Sequence, residues 1–295
     1  MLTPFPQTER LEVPGALAGD LLKAAESLPL YDNKEFYAPA LQEYVFDSIR
    51  DACPDGFDSL TTLIRVCLAR SPYWVVVHGL RFDEGNRLFV AINRAFGELV
   101  ARPYEKPRAQ LVHYIQPATD MPCVGEGRES ERLHTDAADW ETPIELISMV
   151  CVRADRDGGG RSRVLNVEAV RDEVKNHLGT EILKRLEEPV PWQLAAYCGG
   201  GVTWRPVLTE TNICWRRYTI DHALDLEGAK LSEEMLSALD AFGQVINTTK
   251  RPADFLMSEG DFLISDNTRT IHSRTSISDC DASDRLMIRS WIRAS

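Results

Sequence analysis

The chain has 295 residues, 44% of them hydrophobic and 26% charged, and a formal net charge of −12. That composition predicts a globular protein with a substantial core, and its acidic balance argues against a nucleic-acid partner, local pairs such as Arg216-Arg217 aside. No apolar run approaches the roughly 18 residues that span a bilayer, and MLTPFPQTER lacks the basic and apolar regions of a secretion signal, so the expectation is a cytoplasmic protein with no membrane partner.

In chain order, Leu17–Leu28, Leu41–Ala52 and Leu60–Ala69 carry apolar residues at helical spacing. Pro72 then introduces YWVVVHGL, a β-branched run closed by Gly79 that reads as a buried strand. Asn86–Val100 returns to helical spacing. From about residue 110 the texture changes to short strands bounded by turn residues. These are LVHYIQP, ELISMVCVRA, SRVLNV, TWRPVLTE, ICWRRYTI, ADFLM, DFLISD, TRTIHSR and RLMIRSWIR, interrupted by helical patterns at Glu168–Leu186 and Ser232–Ile246. The polar, Pro- and Gly-containing stretch Gln116–Glu131 predicts a functional loop. Together these signals predict a mixed α/β, mainly β fold: a jelly roll over 110–295 with a mixed helical flank over 1–109. With no linker or repeat between them, the two parts form a single domain.

Seven scattered cysteines without a CxxC pair predict reduced thiols, not a disulfide framework. The run Gly199–Gly201 reads as a turn, since no Lys or Ser/Thr follows in the order of a phosphate-binding loop. Among the six histidines, His78, His177 and His222 read as structural or solvated. His134 differs, because Asp136 stands two positions on in RLHTDAADW and a strand would place both side chains on one face. His272, in SDNTRTIHSRTS, is the candidate third ligand. Two histidines and a carboxylate on one face form the facial triad of non-haem iron(II) sites, although the same three groups also suit zinc and hydrolysis. A non-catalytic jelly roll that binds a metal is the third alternative. Arg285 and Arg289, four apart in RLMIRSWIR, share a strand face. Inward arginines in an apolar strand call for an anion, which favours an acidic cosubstrate over hydrolysis.

With these motifs in order, the chain resembles the iron(II)/2-oxoglutarate-dependent oxygenases of the taurine dioxygenase and clavaminate synthase-like family. YWVVVHGL, LVHYIQP, LHTDAADW, DGGGRSRVLNVEAV, SEGDFLISDNTRTIHSRT and RLMIRSW carry the resemblance over most of the chain. It implies a double-stranded β-helix that binds Fe(II) through His134, Asp136 and His272. It further implies 2-oxoglutarate held at its far carboxylate by Arg285 and Ser162, with Arg289 supporting the cosubstrate or meeting the substrate. The implied reaction uses O2, releases succinate and CO2, and hydroxylates an unactivated C–H bond. Desaturation or cyclisation is the variant outcome. Related halogenases have a small residue in place of the carboxylate, so Asp136 disfavours chlorination. The implied substrate is a small metabolite such as an amino acid or natural-product intermediate. Trp140, Trp215, Arg216, His113 and Arg274 lie beside the expected pocket, and each reads equally well as packing.

Overall fold

The computed structural model describes residues 10–101, 111–116, 132–226, 228–277 and 285–294. The expected loop at Gln116–Glu131 therefore lies outside the described residues except for Gln116.

The N-terminal part alternates short strands and helices. Strand β1 (Arg10–Glu12) precedes helices α1 (Gly15–Glu26), α2 (Pro39–Ala52) and α3 (Pro54–Leu68). Proline opens both α2 and α3, where its missing N–H costs nothing and its fixed φ suits the first turn. Strand β2 (Trp74–His78), helix α4 (Arg87–Arg94), and strands β3 (Gly97–Val100) and β4 (His113–Ile115) follow. The expected helix over Asn86–Val100 is thus cut short. Gly97 takes φ 152°, and a Cβ there would stand 2.0 Å from the Arg293 carbonyl oxygen, so the chain turns at Gly97 and pairs as a strand. Gly97→Ala is expected to destabilise the protein by about 2 kcal/mol or more, because backbone strain and a backbone clash coincide. A urea unfolding midpoint would measure it.

The C-terminal part holds β5 (Leu146–Arg153), β6 (Ser162–Asn166), α5 (Val167–Leu178), α6 (Thr180–Leu186), β7 (Pro189–Gln193), β8 (Val202–Pro206), α7 (Arg217–Leu224) and α8 (Glu233–Thr248). Strands β9 (Ala253–Phe255), β10 (Phe262–Asp266), β11 (Thr270–Arg274) and β12 (Leu286–Ala294) complete it. The helical pattern Glu168–Leu186 is two helices, broken where Gly179 adopts φ 88°. The Asn166 side chain caps α5 by accepting from the Ala169 N–H (2.9 Å), an interaction worth about 1 kcal/mol. ICWRRYTI, expected as a strand, divides into an extended Ile213–Trp215 segment and the start of α7. The change occurs because Thr135 pins Trp215, as described below, and Thr219 N–H then bonds back to the Arg216 carbonyl.

The architecture is mixed α/β, with helices packed on two sheets. A seven-stranded sheet runs β1-β2-β10-β5-β12-β3, with β4 also on β12, and a three-stranded sheet runs β11-β6-β9. Strands β7 and β8 form a separate pair. Helices α1–α4 bury their apolar faces on the large sheet through Leu21, Ile49, Ile64 and Phe89 against Val75, Val77 and Phe262. Helices α5 and α8 cover the small sheet through Val170, Val174, Leu239 and Phe242. Among the described residues no helix is long and apolar enough to cross a membrane, and the cysteines are free thiols.

Candidate metal centre

Strand β11, at the edge of the three-stranded sheet, and the bridge and turn over 134–136 bring His134, Asp136 and His272 together. His272 sits on β11, and His134 forms an isolated antiparallel bridge with it. Each residue donates its backbone N–H to the other's carbonyl, at 3.0 and 2.9 Å. The two imidazoles therefore lie side by side, with centroids 4.6 Å apart. Their Nε2 atoms face Asp136 Oδ1 at 3.6 and 4.0 Å, too long for hydrogen bonds and open to an ion between them. The three donor atoms lie within 4.8 Å of one another.

The protonation of these groups suits a cation. His134 Nδ1 donates to the Arg132 carbonyl at 2.8 Å, which fixes the tautomer and leaves the Nε2 lone pair free. Burial, reinforced by neighbouring His134, pushes the His272 imidazole down to about 3, so it stays neutral. Burial pushes the Asp136 carboxyl up, but Arg289 and then the two histidines pull it well below the usual carboxylate range. Two imidazoles and one carboxylate, without thiolate, make a donor set that fits iron(II).

Asp136 is the most heavily supported of the three. Its Oδ2 accepts from Arg289 Nη1 (3.0 Å) and Trp291 Nε1 (2.9 Å), while Arg216 Nη1 approaches Oδ1 at 3.4 Å. Its backbone is clamped by Asn267, which accepts from the Asp136 N–H (2.9 Å) and donates to the Asp136 carbonyl (3.0 Å) and the Ile144 carbonyl (2.8 Å). Arg205 of β8 donates to the Trp140 carbonyl at 2.7 Å and so ties down the turn after Asp136. Thr135 bonds Trp215 in both directions, at 2.8 Å through its N–H and 3.0 Å through its hydroxyl, and this delivers Arg216 to the site.

The other residues singled out in the sequence fall into two groups. Arg289 lies on the metal cluster itself and also reaches His113 Nδ1 at 3.3 Å. Arg285, just before β12, is buried against Gly160, where a Cβ would come 2.7 Å from its Nε. Ser162 is buried on β6 opposite Arg274, two residues past Gly160. Trp140 packs edge-on against Trp291, whereas Trp215 is core, edge-on to Phe242. His78 pairs with buried Asp261, and His177 and His222 lie by Glu173 and Tyr218, as structural histidines do.

A family model, taurine catabolism dioxygenase TauD, TfdA family, matches residues 68–291. The chain belongs to this family. As a TauD/TfdA member it is a non-haem iron(II) oxygenase that uses 2-oxoglutarate and O2. Its fold is shared with solved structures at low identity. An asparagine oxygenase solved with Fe(II), 2S,3S-3-hydroxyasparagine and succinate matches at TM-score 0.73 and 17% identity, over 96% of this chain and 93% of that one. The non-haem iron oxygenase OrfP with Fe and alpha-ketoglutaric acid matches at TM-score 0.76 and 17% identity, over 98% and 95%. OrfP has also been solved with Fe, succinate and (3S)-hydroxy-L-Arg. No curated protein sequence matches the chain.

Asn267 and Trp291 were not identified as site residues from the sequence, although both lie inside the quoted motifs. An Asn267→Ala variant strands the Asp136 N–H and two carbonyls in a buried place. It is expected to lower metal affinity by about 10- to 100-fold, as loss of an outer support typically does. Anaerobic Fe(II) titration would measure the loss.

Proposed function

We propose that the protein hydroxylates an unactivated C–H bond of a small metabolite, such as an amino acid or natural-product intermediate, with succinate and CO2 as co-products. The convergence of His134, Asp136 and His272 within 4.8 Å carries this reading. The asparagine and arginine derivatives held by the similar structures support the amino-acid class. We read the sheets as a double-stranded β-helix and the chain as one oxygenase domain.

His134, Asp136 and His272 would hold iron(II), leaving adjacent positions for cosubstrate and O2. Bound there with 2-oxoglutarate, iron(II) supplies the activation of O2 that C–H oxidation requires. The remaining roles belong to the chain. Arg285, with the Ser162 hydroxyl, would receive the far carboxylate of 2-oxoglutarate. Arg289 would serve the cosubstrate indirectly, by fixing the carboxylate that holds the ion. Trp140 and Trp291 would wall the site with apolar surface and exclude water. Whether the substrate gains oxygen or loses hydrogen depends on how these walls orient it.

The test is an anaerobic addition of Fe(II) followed by 2-oxoglutarate. A weak visible charge-transfer band is expected, absent in His272→Ala, together with succinate formation across an amino-acid panel in air. Product mass separates hydroxylation from desaturation or cyclisation. Absence of both band and succinate, or a tightly held zinc with hydrolytic turnover, would sink the reading.

A further inference from the structure

A run of oxidisable aromatic side chains leads from the metal centre to the protein surface. Trp291 donates its indole N–H to Asp136 Oδ2 at 2.9 Å, whereas both histidine Nε2 atoms face Oδ1. The Trp291 ring meets Trp140 edge-on, with centroids 5.6 Å apart, and Trp140 meets Tyr197 edge-on at 6.3 Å. Trp140 Nε1 also donates to the Tyr197 hydroxyl at 3.0 Å, and that hydroxyl donates to Asp139 Oδ2 at 3.3 Å. Both tryptophans are buried, but Tyr197 is 39% exposed. The Ala195 N–H donates to the Asp139 carbonyl at 2.9 Å, which fixes the turn carrying Tyr197 against the same segment.

Packing and hydrogen bonding account for each of these contacts singly. Their order is a further property. Every member is an indole or a phenol, the aromatic side chains that give up an electron most readily, and successive rings touch. The stacked Trp74–Phe255 pair, by contrast, ends on a phenylalanine. Charge gives the run a direction. The Arg289 guanidinium lies over the Trp291 ring at 5.3 Å and opposes positive charge there. At the outer end, the Asp139 carboxylate already accepts from the Tyr197 hydroxyl and can take its proton on oxidation. An electron vacancy on Trp291 is therefore driven outward.

We propose that Trp291, Trp140 and Tyr197 form a relay that carries oxidising equivalents from the metal centre to the surface when O2 is activated with no substrate bound. This rests on the reading of the triad as an iron site. O2 activation with 2-oxoglutarate yields succinate and CO2, and it leaves two oxidising equivalents at the centre with the second oxygen atom. Bound substrate consumes both. Without substrate, one electron passes from Trp291 to the centre and Trp140 refills Trp291. Tyr197 then refills Trp140, and its phenolic proton goes to Asp139. The resulting tyrosyl radical takes a hydrogen atom from a small one-electron reductant such as ascorbate, and Asp139 returns its proton to solvent. Two such passes, with two protons taken up at the centre, reduce the oxygen atom to water and restore Fe(II). The relay thus keeps unconsumed oxidising power from attacking the residues around the triad.

Protein loaded with Fe(II) and 2-oxoglutarate, then exposed to O2 without substrate or reductant, tests this. Besides succinate there are two readouts: electron paramagnetic resonance of the freeze-quenched sample and mass mapping of oxidised peptides. A tyrosyl signal is expected, with oxygen added mainly at Tyr197. Tyr197→Phe should lose the signal and move oxygen addition inward to Trp140 and Trp291. Trp140→Phe should also lose the signal per succinate formed, although Tyr197 itself is unaltered. Trp140→Tyr, whose phenol is oxidisable, should restore part of it, which a purely structural role of Trp140 would not predict. Ascorbate should quench the signal and prolong succinate formation in the native protein more than in Trp140→Phe. A Tyr197 signal that persists undiminished in Trp140→Phe overturns the relay. So does succinate formation by the native protein with no oxidation of Trp291, Trp140 or Tyr197. Absence of succinate from the native protein and every variant would instead remove the iron reading, and the relay with it.

Discussion

Asp136→Ala is expected to abolish turnover and to destabilise the fold at the same time. The substitution removes one metal donor and the anion on which Arg289 and Arg216 both rest. Asp136 is 3% exposed, so its loss leaves two guanidiniums in a largely water-free place. Breaking a buried pair from one side typically costs about 3–5 kcal/mol. Succinate formation should fall by about a thousandfold or more, equivalent to roughly 4 kcal/mol of lost transition-state stabilisation. Asp136→Asn separates the two effects, because it keeps the shape and the acceptor toward Arg289 while weakening the ligand. It should therefore recover part of the unfolding free energy but little activity. Urea unfolding and a succinate assay on both variants would show this, and an active Asp136→Ala would rule out the triad as the reaction centre.

The second large effect belongs to Arg285. It is 5% exposed and wedged against a glycine, and its planar fork suits a carboxylate in two hydrogen bonds. Arg285→Gln should raise the KM for 2-oxoglutarate about 100-fold, the scale of losing a two-bond charge-assisted contact. At saturating 2-oxoglutarate, kcat should fall much less, since the metal donors are untouched. Gly160→Ala should shift the same KM in the same direction by a smaller factor, because its methyl group would push the Arg285 side chain aside. A KM for 2-oxoglutarate that is unmoved in Arg285→Gln would place the cosubstrate elsewhere.

The convergence of His134, Asp136 and His272 was legible in the sequence because their residue types suit one ion, and residue type survives as plain sequence. His134 and Asp136 stand two apart, but the structure brings them together through an isolated bridge residue and a turn instead of the expected strand. His272 follows an apolar strand that had to be buried. The β-rich C-terminal part was equally readable, from β-branched runs between turn residues. What sequence patterning missed was decided by tertiary contact. Asn86–Val100 keeps helical spacing throughout, yet Gly97 turns into a strand because the β12 backbone leaves no room for a side chain. β7 went unread because Pro189 and Pro191 signal a turn, and they are tolerated only because β7 pairs with β8 alone. Arg285 and Arg289 were expected on one strand face, but Arg285 lies just before β12, and that Arg289 would bind Asp136 was not readable, since strand period gives direction and not partner. Asn267 lay in the quoted motif, and its role appears only once the chain folds back to the Asp136 backbone.

The backbone bridge between His134 and His272 also bears on how such a centre tolerates drift. Each histidine is bonded to the other's main chain, so the separation of the two donors is set locally and not by the long stretch of chain joining them. Insertions, altered helices or a rebuilt β7–β8 pair in that stretch leave the donor spacing intact so long as this one cross-strand contact persists. Substrate choice can therefore diverge in the connecting segments while the oxidising centre stays the same, in keeping with a shared fold at 17% identity.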